Sequence, residues 1–159
     1  WHETILFVEP LSYTDNQATK DIGNFNCYYT GPDLVEGYLR LVIEMSNAYP
    51  SYAVNCDFTL KNIDVVDAQI IDVNVSDDSG ELNWTWTIEH TQGFLWKDFN
   101  ENEQYDLGEE VIHITITELV DVILEPEQTM AAEITAHIAD NAEECHLYAF
   151  QVEIAYEEV

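Results

Sequence analysis

Positive charge is the scarcest property of this chain. Only four Lys and Arg residues stand against 32 Asp and Glu in 159 residues, for a formal net charge of −28 at pH 7. Such a surface repels phosphate backbones, which argues against nucleic-acid binding. It also opposes a compact fold by self-repulsion, which bound divalent cations would relieve. A saline habitat favours the same composition, and composition alone does not separate these two explanations.

Long apolar runs and a cysteine framework are also missing. No apolar run reaches the length of a membrane-spanning helix, so no transmembrane segment is predicted. The chain begins at Trp1 rather than Met, which suits a mature exported chain and equally a trimmed one. Its three cysteines, Cys27, Cys56 and Cys145, have no zinc or redox spacing. Cys56 is either a small core residue or a disulfide partner, and the pairing stays open.

Catalytic motifs are absent from the sequence as well. It contains no nucleophile elbow, phosphate-binding loop or zinc-protease motif. Its five histidines are scattered over different predicted strands. Paired carboxylates carry little information in a chain this acidic. The sequence therefore predicts a protein that is not an enzyme, with a glycosidase-like enzyme as the last alternative.

What the chain does contain is apolar alternation with period two, broken by turn clusters every 8–15 residues. This pattern predicts about nine strands and an all-β fold, a jelly-roll-like antiparallel β-sandwich formed by residues 21–159 as one domain. The predicted strands cover residues 24–30, 38–45, 53–62, 63–76, 82–90, 111–117, 119–124, 129–139 and 145–157.

Residues 1–20 are expected to form a separate, protruding segment. Glu3–Glu9 is a short apolar strand ended by Pro10, and the polar stretch to Lys20 is a tether. Four apolar residues in a row, Ile5, Leu6, Phe7 and Val8, require cover on both faces of this strand. Insertion into a groove of another subunit would provide that cover, as would an ordinary place in the chain's own sheet.

One stretch has a spacing that indicates a specific chemistry. Asp98, Asn100, Asn102, Asp106 and Glu109 occupy positions 1, 3, 5, 9 and 12 of an EF-hand calcium loop. Gln104, at position 7, would supply its backbone carbonyl, whereas Glu103 replaces the usual glycine at position 6. The sequence therefore predicts a Ca²⁺ site, with an acidic solvated turn as the alternative. Because strands rather than helices flank the loop, it would be a static clamp.

Acidic turns and tryptophans add two weaker expectations. The turns at residues 77–81 and 140–144 are expected to bind further calcium where subunits meet. Trp84 and Trp86 share one face of a predicted strand, which favours a place in the core. Alternatively, Trp84, Trp86 or Trp96 would form an exposed platform for sugar.

Two stretches resemble the TasA/camelysin family of biofilm-fibre subunits and related archaeal pilus and cannula-like filament proteins. Residues 41–52, LVIEMSNAYPSY, lead into CDFTLKNI at 56–63 in the manner of that family's opening strands. Residues 124–128, LEPEQ, through the YAFQV strand at 148–152 are similar to its closing strands. The likeness covers roughly residues 36–76 and 119–157 and leaves the calcium loop outside.

The resemblance implies an extracellular or cell-surface subunit that forms a homopolymer with identical subunits by donor-strand complementation, with Ile5–Val8 as the donated strand. Calcium-dependent assembly would suit the cannula-like members. The alternative function is a calcium-stabilised, carbohydrate-binding β-sandwich module.

Overall fold

The computed structural model describes residues 4–15, 24–31, 36–48, 51–140, 142 and 146–159, and contains strands but no helix within them. In chain order, the strands are β1 Ile5–Asp15, β2 Asn24–Thr30, β3 Arg40–Ala48, β4 Ala53–Asn62, β5 Ala68–Asp77, β6 Asn83–Ile88, β7 Gln92–Trp96, β8 Glu110–Ile116, β9 Ile123–Leu124, β10 Thr129–Ile138 and β11 His146–Glu158.

The strands form two antiparallel sheets in a sandwich-like arrangement. One sheet has six strands in the order β1-β4-β10-β8-β7-β6, and the other has five in the order β2-β3-β11-β5-β9. Alternate residues of the central strands face inward, as on β10, where Ala132, Ile134, Ala136 and Ile138 are buried. The expected all-β fold with antiparallel sheets is confirmed.

The first strand does not protrude, contrary to the expectation. β1 pairs antiparallel with β4, with Ile5 opposite Asn62 and Phe7 opposite Leu60. Ile5, Leu6 and Phe7 are buried, and Val8 is half-buried. The alternative of a strand placed in the chain's own sheet is therefore what this single chain adopts.

Residues 37–38 cover the edge of β1 that faces away from β4. Phe7 and Tyr38 exchange two backbone hydrogen bonds of 2.9 Å each. Gly37 fits closely here, since a Cβ on it would lie 2.8 Å from both Leu6 Cβ and the Phe7 carbonyl oxygen. β1 thus lies in a slot between β4 and residues 37–38.

β1 also continues past Pro10, where the sequence predicted its end. Proline cannot donate to the ladder, and the β1–β4 register shifts between Val8 and Ser12. Side chains bridge the gap: the Thr59 N–H donates to the Tyr29 hydroxyl at 3.1 Å, and that hydroxyl donates to the Val8 carbonyl at 2.9 Å. The Thr59 hydroxyl donates to the Pro10 carbonyl at 3.0 Å.

Other boundaries follow local packing. The predicted strands at 24–30 and 53–62 are confirmed, whereas the strand predicted from residue 63 begins only at Ala68. The buried Asn62 side chain shapes that turn by donating to the carbonyls of Val66 and Leu124 at 2.9 and 2.8 Å. β7 was not predicted, because Gly93 interrupts its apolar pattern; a Cβ there would lie 2.5 Å from the Trp84 ring.

We predict that Phe7→Ala lowers the free energy of unfolding by about 3–5 kcal/mol, because the ring is fully buried against Phe58 and Tyr29, with centroids 5.6 and 5.5 Å away. Urea unfolding measures the change. Leu11→Ala, on the same strand but only half-buried, is the matched control. Equal losses in the two variants would show that β1 is not seated in its own subunit.

Candidate metal centre

The candidate calcium loop, residues 98–109, connects β7 to β8. Its ends are tied together by a 3.0 Å hydrogen bond from the Lys97 N–H to the Glu109 carbonyl. The loop is therefore the turn of a hairpin, as expected of a loop set between strands. Because β7 and β8 are paired on both sides in the six-stranded sheet, its base is held firmly.

The first three ligand-type side chains turn toward the loop backbone. Asp98 accepts the N–H groups of Asn102 and Glu103 at 3.2 and 2.7 Å. The Asn100 side-chain oxygen accepts the Asn102 N–H at 3.3 Å, and the Asn102 oxygen accepts the Gln104 N–H at 2.9 Å. These side-chain oxygens therefore accept backbone N–H groups of the turn, which a bound cation would have to replace.

The remaining two ligand-type residues close the loop. Asp106 accepts hydrogen bonds from the side-chain amides of Asn100 and Asn102, which lower the pKa of its carboxyl group. Glu109 is 5% exposed, and its two oxygens accept the N–H groups of Asp106 and Phe99 at 2.7 and 2.8 Å. All five predicted side chains thus belong to one hydrogen-bonded loop.

The predicted departure at position 6 has a structural counterpart. Glu103 has a φ of 62°, in the left-handed region where the EF-hand pattern places glycine. Glu101 has a φ of 56° and adopts the same region two residues earlier. The loop therefore keeps the sharp turn of the EF-hand pattern, although Glu103 adopts the left-handed conformation at a higher energy than glycine would.

Sequence reasoning missed the residues that fix the far end of the loop. Tyr105, at position 8, packs against Phe94 and Trp96, with ring centroids 6.2 and 5.9 Å away. Its hydroxyl donates to Glu110, which also accepts the Gly108 N–H at 2.9 Å. Burial and Glu110 raise the pKa of Tyr105 to about 12. A lone aromatic residue between ligand positions was the only signal for this anchor.

The donor set fits a hard cation, although the geometry is that of a hydrogen-bonded loop. Carboxylate, amide and carbonyl oxygens are the ligands Ca²⁺ prefers. The Asn100 and Asn102 side chains turn their amide nitrogens to Asp106, so a cation would require them to rotate. Across the described part of the chain, no group of three or more His, Cys, Asp or Glu side chains is arranged to hold a metal ion.

The acidic turn at 77–81 has its own internal partners. Asp77 accepts hydrogen bonds from the Ser79 hydroxyl and the Leu82 N–H at 2.7 and 2.9 Å. Glu81 lies 3.9 Å from His146 Nε2. These contacts are those of an ordinary turn. In the second acidic turn, Glu143 and Glu144 lie outside the described residues.

The tryptophans considered as a sugar platform pack inward. Trp84 and Trp86 lie against the core and contact each other edge to face at 4.9 Å, and Trp96 is 7% exposed. The indole N–H groups of Trp84 and Trp96 are buried and make no hydrogen bond. The carbohydrate-binding alternative gains no support from these rings.

Comparison with protein-family models, with curated proteins and with solved structures finds no match for this chain. Within the residues that the structure describes, no helix has the length and apolar character needed to cross a membrane.

We predict that Glu109→Gln lowers the free energy of unfolding by about 1–3 kcal/mol without any metal, because the amide nitrogen that replaces one carboxylate oxygen cannot accept a backbone N–H group. Urea unfolding in the presence of a chelator measures the loss. Glu101→Gln makes the same charge change at an exposed loop position and should cost less than about 0.5 kcal/mol. A Glu109 variant as stable as this control would contradict the structural role of the buried carboxylate.

Proposed function

We propose that this chain is an extracellular structural subunit that polymerises with identical subunits by exchanging β1, with Ca²⁺ bound in loop 98–109. The observation that carries the proposal is the seat of β1. It is an edge strand, yet Ile5, Leu6 and Phe7 are buried on both of its faces.

The pairing and burial of β1 are more typical of a strand inserted between two partners than of an ordinary edge strand. Edge strands usually leave one row of backbone groups to solvent and carry devices that prevent further pairing. Here Phe7 pairs with β4 on one side and with Tyr38 on the other. Burying each large apolar side chain contributes about 1.5–3 kcal/mol, so this slot holds its strand strongly.

Exchange between subunits would preserve all of these contacts. When identical elements swap, the β1 of a neighbour makes the same hydrogen bonds and fills the same slot. The connection from β1 to β2, residues 16–23, lies outside the described residues. A head-to-tail exchange whose rotation does not close generates an open filament.

Charge gives calcium a role in this assembly. Two chains at −28 each repel on approach, and exposed charges are screened only over the Debye length. A bound divalent cation reduces the charge of each subunit and replaces hydrogen bonds within loop 98–109 by metal–oxygen bonds. Asp98, Asn100, Asn102, Asp106, Glu109 and the Gln104 carbonyl would be the ligands, at a weak affinity of about 10⁻⁴–10⁻³ M, typical of extracellular modules.

The resemblance to the TasA/camelysin family supports the same reading. That family joins a jelly-roll domain to donor-strand polymerisation at the cell surface. In this chain, seven connections lead from a strand of one sheet to a strand of the other: β1–β2, β3–β4, β4–β5, β5–β6, β8–β9, β9–β10 and β10–β11. Such crossings are expected of a Greek-key or jelly-roll sandwich, which is the fold type we propose.

A cysteine pair across β1 and β4 tests the exchange. Ser12 and Asp57 are exposed register partners, and paired strands bring Cα atoms into the range of a disulfide. We predict that Ser12→Cys/Asp57→Cys, in a Cys145→Ala background, oxidises within the chain when kept monomeric. After assembly with calcium, the same pair should link subunits into a ladder on a non-reducing denaturing gel, because each β1 then lies on a neighbour's β4.

The matched control is Thr115→Cys/Thr135→Cys, whose partners lie on β8 and β10 in the interior of the same sheet. This pair should stay within one chain in monomer and polymer alike. Filaments that form without a ladder from the β1–β4 pair would rule out strand exchange. A protein that stays monomeric at high concentration, with or without calcium, would rule out the filament function.

We predict that Asp98→Ala removes the calcium-dependent rise in melting temperature. At 100 times its dissociation constant, calcium stabilises the native fold by about 2.7 kcal/mol, and loss of the first ligand abolishes specific binding. Thermal unfolding over a calcium titration measures the effect. Glu101→Ala removes the same charge at a position without a ligand role and should retain the rise. An Asp98→Ala protein that titrates like the unmodified chain would refute the site.

A further inference from the structure

We propose that Cys27 and Cys56 form a disulfide that joins the two sheets of the sandwich. Cys27 is on β2 of the five-stranded sheet, and Cys56 is on β4 of the six-stranded sheet. Both side chains belong to the hydrophobic core and are almost fully buried, at 3% and 0% exposure.

Aromatic contacts place β2 directly over this part of the opposite sheet. Phe25, Cys27 and Tyr29 alternate along β2 and so share one of its faces. Phe25 meets Tyr13 of β1 edge to face at 5.1 Å, and Tyr29 meets Phe7 at 5.5 Å. Cys27 therefore faces the six-stranded sheet between these two aromatic contacts.

The register between β1 and β4 in the six-stranded sheet identifies the residues that lie opposite Cys27. Tyr13 is the register partner of Cys56, and Phe7 is the partner of Leu60, on the neighbouring strand β4. The Tyr29 hydroxyl, two residues beyond Cys27, accepts the backbone N–H of Thr59 at 3.1 Å. Residues 56–60 of β4 thus lie opposite residues 25–29 of β2, and Cys27 and Cys56 are both buried between these two stretches.

The two thiols are in contact in the structure, which holds both as free cysteines. Contact with the Cys56 thiol, together with burial, raises the pKa of Cys27 far above its ordinary value. Thiolate is the attacking species in disulfide exchange, so the folded, reduced protein should oxidise slowly. The bond should instead form as the chain folds, before the core closes over the thiols.

Oxidised glutathione, a small disulfide, can serve as the oxidant that forms the Cys27–Cys56 bond. The thiolate of one cysteine attacks oxidised glutathione and expels one glutathione thiolate, which leaves a mixed disulfide. The second cysteine then attacks the protein sulfur and expels the other glutathione. The protein loses two hydrogen atoms and gains one S–S bond, while one glutathione disulfide is reduced to two thiols.

Trypsin can assign the bond unambiguously, because the four basic residues are well placed. Cleavage after Lys20, Arg40, Lys61 and Lys97 puts Cys27 in peptide 21–40, Cys56 in peptide 41–61 and Cys145 in peptide 98–159. The full chain is reduced, unfolded and refolded with reduced and oxidised glutathione. The sample is then quenched in acid, and its free thiols are blocked with N-ethylmaleimide under denaturing conditions before digestion.

We expect peptides 21–40 and 41–61 to appear joined, at a mass lower than their sum by two hydrogen atoms, and to separate on reduction. Peptide 98–159 should carry N-ethylmaleimide, and Cys145→Ala should leave the link unchanged. A protein in which Cys27 and Cys56 are both blocked would overturn the proposal. A link from either cysteine to peptide 98–159, or between two copies of one peptide, would also overturn it.

Melting temperature tests whether the bond belongs to the native fold. The Cys145→Ala chain, refolded once with oxidant and once with reductant, should melt about 10 °C higher in its linked form, because the bond restricts the unfolded chain. A linked protein that melts no higher than the reduced one would show that the bond does not join the sheets in the native fold.

Discussion

An excess of negative charge constrains every level of this structure. With 32 acidic and four basic residues, only a few carboxylates can have an ion-pair partner. Arg40 pairs with Glu153 and Lys61 with Glu127, and all four side chains are at least one-third exposed, where ion pairs add little stability. Cohesion must come from apolar burial and from the sheet ladders. Both sheets therefore present continuous inward-facing rows of large apolar residues.

Several carboxylates accept hydrogen bonds from backbone N–H groups in turns. Asp64 accepts the Val65 N–H at 2.7 Å, Asp98 accepts the Glu103 N–H, and the buried Glu109 carboxylate accepts two N–H groups of its own loop. Charge-assisted hydrogen bonds of this kind are among the stronger ones in proteins. Acidic residues thus order the turns, and loop 98–109 is the fullest example. The side-chain oxygens of that loop are the ligands of the proposed Ca²⁺ site.

Local patterns in the sequence predicted what depends on neighbours in the chain, and missed what depends on contacts across the fold. Alternation was enough for β4, and ligand spacing was enough to single out loop 98–109 as one unit. The sequence did not indicate that β1 continues beyond Pro10, because Tyr29 and Thr59, which bridge the gap, are distant in sequence. Nor could it pair Cys27 with Cys56, since that contact exists only once the two sheets have packed.

The proposed disulfide and the proposed strand exchange are physically compatible because they involve different strands. A Cys27–Cys56 bond joins β2 to β4, so the two sheets remain connected on the side of the sandwich where β1 lies. If β1 leaves its slot, β4 loses its edge partner and the Tyr29 hydroxyl loses the Val8 carbonyl, but Tyr29 keeps the Thr59 N–H. The slot then has an unfilled hydrogen-bond donor, the Tyr29 hydroxyl. A β1 strand from an identical subunit, entering in the same register, provides the matching carbonyl.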